Sequence, residues 1–247
     1  MHPMLKLLAS NRRKGSFRAE MQGDEATIYL YDMIVDTDDE AEWWGGVSPQ
    51  AFIKELNALS APVIHLRVNS PGGSVFAARA IEQALREHKS QIIAHIDGLA
   101  ASAASFLVMG ADEVIAAPGS FIMIHKAWTI AWGNSDDLIS TAALLEQIDG
   151  SLVKTYAART KQDSEQIAAW MKAETWFEAD KAAELGFVDR VAEADAPKSN
   201  AAWDLSAFEH APKQRAAQPV PVAKHEPVQP DRAALARAAA VRIAVPA

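Results

Sequence analysis

Short apolar runs alternate with amphipathic helical patterns along most of the chain, from residue 26 to about residue 191. Residues 26–35 form the first strand-like run, and three strand–helix units follow at 63–88, 91–110 and 113–160. Strands that alternate with helices in this way are typical of a mostly parallel sheet with helices packed outside it. The pattern therefore predicts an α/β fold.

Polar residues with capping side chains mark where several helices begin. Ser48 precedes one helix, and Asn134 precedes a long helix whose apolar positions recur on one face. Asp163 occupies the same position before the next helix, with Gln166 at the capping-box position. Gly186 is expected to end the last helix, since glycine adopts the left-handed conformation that follows many helices.

The two ends of the chain differ in composition from the middle. Residues 1–24 are interpreted as an N-terminal extension, and residues 25–194 as the folded domain. Residues 195–247 are rich in Ala and Pro and have few large apolar side chains, which is typical of a flexible, disordered tail. Asp231 could begin a short helix there, although a solvated segment that never docks is the favoured interpretation.

Composition limits the possible functions without choosing one. The 247 residues are 49% hydrophobic, which is enough for a full core, and the formal net charge of −8 disfavours nucleic-acid binding as the main activity. The chain has no cysteine and no convincing spacing of zinc ligands, so we expect neither disulfides nor a metal site. No stretch has the length and apolarity of a membrane-spanning helix, and the N-terminus lacks the pattern of a secretion signal. A cytoplasmic protein is expected.

Ser102 is the strongest candidate for chemistry. It follows the apolar run 91–96 and opens a stretch of small residues, so it is predicted to lie at a strand-to-helix junction. There a hydroxyl lies beside unpaired backbone amides and the positive end of the helix dipole, which stabilise a developing oxyanion. Serine is also a common helix cap, so the position alone leaves a structural role open. Ser105, one helical turn later, is expected to pack inside.

A Pro-Gly-Gly turn at residues 71–73 follows the strand-like run at 63–68. Paired glycines at the carboxyl end of a strand let backbone amides point outward and let a ligand approach closely. The same sequence is also an ordinary β-to-α turn. The glycine spacing fits neither of the common nucleotide-binding motifs, so a phosphate cradle is not expected.

His125 ends the apolar run 121–124, about one strand–helix unit after Ser102. A serine at a helix start, a glycine turn with free amides and a histidine at a strand end are the parts of acyl-transfer chemistry. Lys126 would offer a Ser–Lys pair instead. Adjacent residues on a strand point to opposite faces, however, so His125 and Lys126 cannot both face the serine if the strand continues.

Four motifs occur in order along the chain. They are N-S-P-G-G at 69–73, G-L-A-A-S-A-A-S at 98–105, M-I-H at 123–125 and E-T-W-F-E-A-D-K-A-A-E-L-G-F-V-D at 174–189. In order and approximate spacing this set closely resembles the ClpP-like serine peptidases, and within them the bacteriophage head maturation (prohead) proteases. The resemblance runs from about residue 26 to residue 191 and implies a ClpP/crotonase-like superhelix of repeated β-β-α units, whose long helix joins protomers into rings.

The resemblance also implies roles for individual residues. Ser102 would be the nucleophile and His125 the general base and acid, with the backbone N–H groups of Gly73 and Ala103 as the oxyanion hole. The slot of the third, orienting carboxylate holds Glu174.

Other residues remain open as alternatives. Glu178, Asp180 and Asp97 are alternative acids for the triad. The tryptophans Trp43, Trp44, Trp128 and Trp132 could either line a peptide groove or fill core and interface positions.

The implied function is that of a serine endopeptidase that cuts phage scaffold and major capsid proteins, and possibly itself, within the assembling prohead in the cytoplasm of a bacterial host. No metal or organic cofactor, nucleic acid or membrane is implied. Three alternatives are kept. They are a ClpP-like housekeeping peptidase working with an ATPase, a crotonase-type acyl-CoA enzyme, and a catalytically silent assembly or scaffolding protein.

Overall fold

The computed structural model describes residues 1–193 and 203–212, which include an eight-stranded mixed sheet and eight α-helices. The predicted α/β fold is confirmed. The strands are β1 (Ser16–Gln22), β2 (Glu25–Tyr31), β3 (Val63–Ser70), β4 (Gln91–Ala101), β5 (Glu113–Ala116), β6 (Phe121–Ile124), β7 (Thr175–Glu178) and β8 (Arg190–Val191). The helices are α1 (Pro3–Asn11), α2 (Asp38–Trp44), α3 (Pro49–Ala58), α4 (Val75–Glu87), α5 (Ala103–Leu107), α6 (Ser135–Thr160), α7 (Ser164–Lys172) and α8 (Ala179–Glu184).

The helix starts predicted from polar residues are found in the structure. Ser48, Asn134 and Asp163 each accept hydrogen bonds from backbone N–H groups of the first turn of α3, α6 and α7. Gly186 has a φ of 82° just after α8, as a glycine that ends a helix should. These caps bond N–H groups that a helix leaves unpaired. Because Ser, Asn and Asp are preferred at helix starts for this reason, the helix starts could be predicted from the sequence.

The strands run in the order β1-β2-β3-β4-β5-β8, and the sheet forks at β4. The first half of β4 pairs with β5, and its last residues pair in parallel with β6, where Ala101 lies opposite Met123. β6 in turn pairs antiparallel with β7. Because β4 and β6 run side by side and end together, the residues that follow them, Ser102 and His125, emerge at one edge of the sheet.

The main core lies between the sheet and the helices α3 to α8. Its largest fully buried side chains include Phe52, Phe106, Tyr156 and Phe187. The opposite face of the sheet is polar over β2 to β4, where Arg67 and Tyr31 both hydrogen-bond the carboxylate of Asp97. No helix in the described part of the chain is long and apolar enough to cross a membrane.

Both predicted extensions contribute to the folded unit, which ends at Pro212. β1 pairs along its whole length with β2, and residues 203–212, assigned to the tail by their composition, pack against α1 and the sheet. The physical reason is that Trp203 and Phe208 supply enough apolar surface to be buried, with 3% and 5% of their surfaces exposed. Asp231 and the rest of the tail lie outside the described residues.

Gly73 is required by the close approach of two segments of backbone. Its φ is 147°, and a Cβ atom built on it would lie 1.9 Å from the carbonyl oxygen of Ile34. Gly119 offers a contrast, since its φ of 77° is also left-handed but nothing lies within 4 Å of an added Cβ. A side chain at Gly119 costs only backbone strain, whereas one at Gly73 must also push two backbone segments apart.

Gly73→Ala should therefore lower the free energy of unfolding by about 2–4 kcal/mol, and Gly119→Ala by only about 1 kcal/mol. Urea denaturation of both variants and the wild type measures the difference. Equal losses of unfolding free energy in the two variants would contradict the claim that there is no room for a side chain between Gly73 and Ile34.

Candidate active site

Ser102 lies on a sharp turn between β4 and α5. Its backbone has φ 52° and ψ −122°, a conformation that a residue with a side chain rarely adopts. The turn is held by a hydrogen bond from the Ser102 N–H to the carbonyl of Met123 on β6, at 2.9 Å. Gly72 packs directly beneath it, since a Cβ on Gly72 would lie 2.8 Å from the Cβ of Ser102. The strained turn thus presents the hydroxyl at the edge of the sheet.

His125 follows β6 directly and meets this hydroxyl. The Oγ of Ser102 and the Nε2 of His125 are 2.7 Å apart. The structure therefore brings together the two residues that the motifs single out, and it does so through the parallel pairing of β4 and β6.

Trp128 fixes the protonation pattern of the imidazole. Its indole N–H donates a hydrogen bond to the Nε2 of His125 at 2.7 Å, and an indole nitrogen can only donate. Nε2 is therefore the unprotonated nitrogen, and it accepts from the Ser102 hydroxyl as well. The proton of the neutral ring is on Nδ1, the atom that an orienting carboxylate would bind in a catalytic triad.

Burial lowers the pKa of His125 to about 3. The ring is packed edge to face against Trp128 and Phe208, with centroid distances of 4.8 and 5.7 Å. These aromatic groups displace water that would solvate the imidazolium ion. His125 is consequently neutral at physiological pH and able to accept a proton.

Gly73 and Ala103, the residues assigned to the oxyanion hole, both lie near the serine. A short parallel bridge uses the carbonyl of Gly72 and the N–H of Ser74 to bond Ile34, which leaves the N–H of Gly73 on the opposite edge. Ala103 is the first residue of α5, where N–H groups have no partner within the helix. Both residues line the cavity that contains Ser102 and His125.

Glu174 does not contact His125 in this structure. Its carboxylate accepts hydrogen bonds from the backbone N–H groups of Glu209 and His210, at 2.9 and 2.7 Å, and from the indole of Trp176 at 3.2 Å. Nδ1 of His125 has no carboxylate partner among the described residues. The third triad position assigned to Glu174 thus stays a prediction, because another part of the chain holds this carboxylate.

The alternative acids are not brought to the histidine either. Asp97 is bound to Arg67 and Tyr31 within the sheet. Glu178 ends β7 opposite Phe121, three ladder positions from the end of β6, and Asp180 is exposed in the first turn of α8.

The alternative Ser–Lys pair is not formed. Lys126 points away from Ser102, and its ammonium group pairs with Asp149 on α6 at 3.2 Å. Ser105 is fully buried, and its hydroxyl bonds Tyr156 and the carbonyl of Ser102. The expectations that His125, not Lys126, faces the serine and that Ser105 packs inside are confirmed.

A largely apolar cavity of about 500 Å³ opens beside the serine. Three of the four tryptophans singled out in the sequence, Trp44, Trp128 and Trp132, line it. Trp43 instead lies exposed against the guanidinium of Arg12. Sequence reasoning did not find the contacts of Trp128 and Phe208 with His125, because only the folded chain brings them together.

Comparison with known proteins places this geometry in a family. The family model for Clp protease matches residues 45–195, which is more than half of the chain. The chain belongs to the Clp protease family. The prediction of a ClpP-like serine peptidase is thereby confirmed at the level of the family. The family model does not distinguish the phage prohead type, which stays a prediction.

Two relatives illustrate the similarity. The chain is 36% identical over 140 residues to the ATP-dependent Clp protease proteolytic subunit 2 of Corynebacterium diphtheriae, covering 56% of this chain and 70% of that protein. It is 33% identical over 131 residues to the ATP-dependent Clp protease proteolytic subunit of Chlorella vulgaris, covering 52% of this chain and 65% of that protein. The chain thus spans about two thirds of the length of these relatives.

The low pKa of His125 makes the stability of the protein depend on pH. Between about pH 6.5, where an unfolded histidine titrates, and pH 3 the unfolded chain binds the additional proton, so the free energy of unfolding should fall as the pH falls. Burial also lowers the pKa of His95, to about 4, and this acts in the same direction.

Urea denaturation at several pH values gives the free energy of unfolding as a function of pH. Between pH 6.5 and pH 3 this free energy should fall less steeply for His125→Gln than for the wild type. The replacement removes one titrating group while keeping a side chain of similar size. Identical slopes would show that the imidazole is not desolvated as described.

Proposed function

We propose that this chain is a serine endopeptidase that cleaves peptide bonds through an acyl-enzyme formed on Ser102. The observation that carries the proposal is the 2.7 Å contact between Ser102 Oγ and the unprotonated Nε2 of a neutral, half-buried His125. A nucleophile within hydrogen-bond reach of an unprotonated base is the core of this chemistry.

In the acylation step, Ser102 Oγ attacks the carbonyl carbon of the peptide while its proton passes to Nε2 of His125. The N–H groups of Gly73 and Ala103 stabilise the negative charge that develops on the carbonyl oxygen. When the tetrahedral intermediate collapses, the C–N bond breaks and Nε2 returns the proton to the leaving amine. Water, activated by the same nitrogen, then hydrolyses the ester and restores the serine.

The apolar cavity beside Ser102 supports peptides as substrates. Its lining of aromatic and aliphatic side chains, including Trp44, Phe106 and Leu145, suits apolar side chains of an extended polypeptide. Water is the only co-reactant that this chemistry requires.

Assembly of identical subunits into rings is part of the proposal. Leu138, Ile139 and Leu144 lie on the N-terminal half of α6 with 47%, 67% and 49% of their surfaces exposed. Large apolar side chains exposed together on one helix favour contact with another copy of the chain. Such rings would enclose the serines and restrict access to flexible chains.

We further propose that the substrates are scaffold and major capsid proteins of a phage prohead, which places the enzyme inside the assembling head in the bacterial cytoplasm. The support is the sequence resemblance, above all the segment that begins Glu174-Thr175-Trp176 and the long Ala/Pro-rich C-terminus. A housekeeping peptidase that works with an ATPase is the second candidate, since the relatives are named as ATP-dependent proteolytic subunits.

The purified chain distinguishes these two candidates. A prohead protease should cut capsid and scaffold proteins encoded beside its gene without ATP. A housekeeping peptidase should degrade unfolded proteins only when a partner ATPase and ATP are added.

The nucleophile itself is tested by Ser102→Ala. Hydrolysis of an unstructured protein substrate should fall by at least about 10³-fold, because Ser102 supplies the one hydroxyl bonded to His125 among the described residues. Ser105→Ala is the matched control, since this serine lies in α5 directly after Ser102, and its loss should cost stability but not the reaction. Residual hydrolysis by Ser102→Ala close to the wild-type rate would favour a crotonase-type enzyme or a silent assembly protein.

A further inference from the structure

Residues 203–212, called the strap below, form a short segment that packs beside His125. The strap lies beyond residues 45–195, the part of the chain that matches the family. It is anchored at its start, where the indole of Trp203 donates to the carbonyl of Asn69 at 3.1 Å. Asn11 on α1 then bonds both the carbonyl and the N–H of Asp204, at 2.9 and 2.7 Å.

The strap places an aromatic ring on the catalytic face of the sheet. The ring of Phe208 lies 5.7 Å from that of His125, 5.5 Å from Trp128 and 5.7 Å from Trp176. Phe208 is buried by these contacts, with only 5% of its surface exposed. The strap therefore occupies the space beside the imidazole.

The strap also removes the carboxylate that is best placed to orient the histidine. The antiparallel pairing of β6 and β7 ends where Ile124 lies opposite Thr175, and His125 and Glu174 are the residues next to this pair on the two chains. Their backbones therefore lie near each other, although Glu174 has left the strand conformation with a φ of 46°. The backbone N–H groups of residues 209 and 210 bind the Glu174 carboxylate.

Trp128 completes the arrangement. Its N–H occupies the same lone pair of Nε2 that must take the proton from Ser102. Its ring packs on Phe208, so the strap supports the indole in this position. Proton transfer from Ser102 to Nε2 requires the indole N–H to move away.

We propose that residues 203–212 are an autoinhibitory strap that holds the site in a latent state, with Phe208 and the 209–210 backbone keeping Glu174 from His125. This inference rests on the proposed function of Ser102 and His125. When the strap leaves, Glu174 binds Nδ1 of His125 and Trp128 releases Nε2. Glu174 then acts as a positioning residue, since it works through His125 and does not touch the substrate.

The experiment measures the rate at which a fluorophosphonate probe labels the full-length chain. Phe208→Ala should react at least about ten-fold faster than the wild type, because it shifts the population towards the open site. Glu209→Gln is the matched control and should label at the wild-type rate, since its exposed side chain belongs to the same strap while the backbone N–H that binds Glu174 is unchanged. Ser102→Ala should stay unlabelled throughout.

A second substitution tests the role of the carboxylate. Adding Glu174→Gln to Phe208→Ala should remove most of the gain, and Glu174→Asp in the same background should retain part of it. The acid limb of the labelling rate should lie at higher pH in Phe208→Ala than in Phe208→Ala/Glu174→Gln, since a carboxylate on Nδ1 raises the pKa of the imidazole. A loss of packing alone would not produce this shift.

Asn11→Ala releases the strap at a distance from the site and provides an independent variant if Phe208→Ala fails to fold, as judged by circular dichroism. It should also label faster than the wild type. Labelling at or below the wild-type rate in the folded variants would overturn the strap proposal, while Ser102-dependent labelling would still uphold the proposed function. No labelling of any variant would overturn the proposed function itself.

Discussion

The contact between Ser102 and His125 depends on one feature of the sheet, the fork at β4. The last residues of β4 leave β5 and pair with β6, so that two strands end side by side and release a hydroxyl and an imidazole at the same edge. Gly72 then brings a third segment of backbone into van der Waals contact with the serine turn, and Gly73 holds that segment against Ile34. Without the pairing of β4 with β6, the backbone would not hold the two side chains within hydrogen-bond distance.

Burial has two opposite effects at this site. It keeps His125 neutral, which a base requires, but it also makes the imidazolium ion costly to form during the reaction. A carboxylate on Nδ1 would offset that cost, but the carboxylate of Glu174, which lies next to the last residue pair of β6 and β7, is bound by the backbone of residues 209 and 210. The described part of the chain therefore contains the nucleophile and the base in contact, but without a carboxylate on Nδ1 of the base.

The sequence predicts those parts of the site that depend on local pattern. Ser102 and His125 were found because each follows an apolar strand and belongs to a recognisable motif, and the helix caps at Ser48, Asn134 and Asp163 were found for similar local reasons. The partner of Glu174 could not be found in this way. It lies 35 and 36 residues further along the chain, in a segment whose composition resembles a tail.

Phe208 shows why such contacts escape a reading of the sequence. One phenylalanine and one tryptophan among Ala, Pro and charged residues give no periodic signal, yet both are buried when α1 and the sheet provide a surface. Trp128 likewise has no pattern that distinguishes a donor to His125 from a core residue. Only the tertiary packing assigns these roles.

Whether His125 activates Ser102 can be measured by reacting the wild-type chain with excess fluorophosphonate and locating the adduct by tandem mass spectrometry. We expect a single adduct on Ser102, formed slowly, and none after His125→Ala. An adduct on another residue, or an adduct on Ser102 that forms equally well without His125, would contradict this expectation.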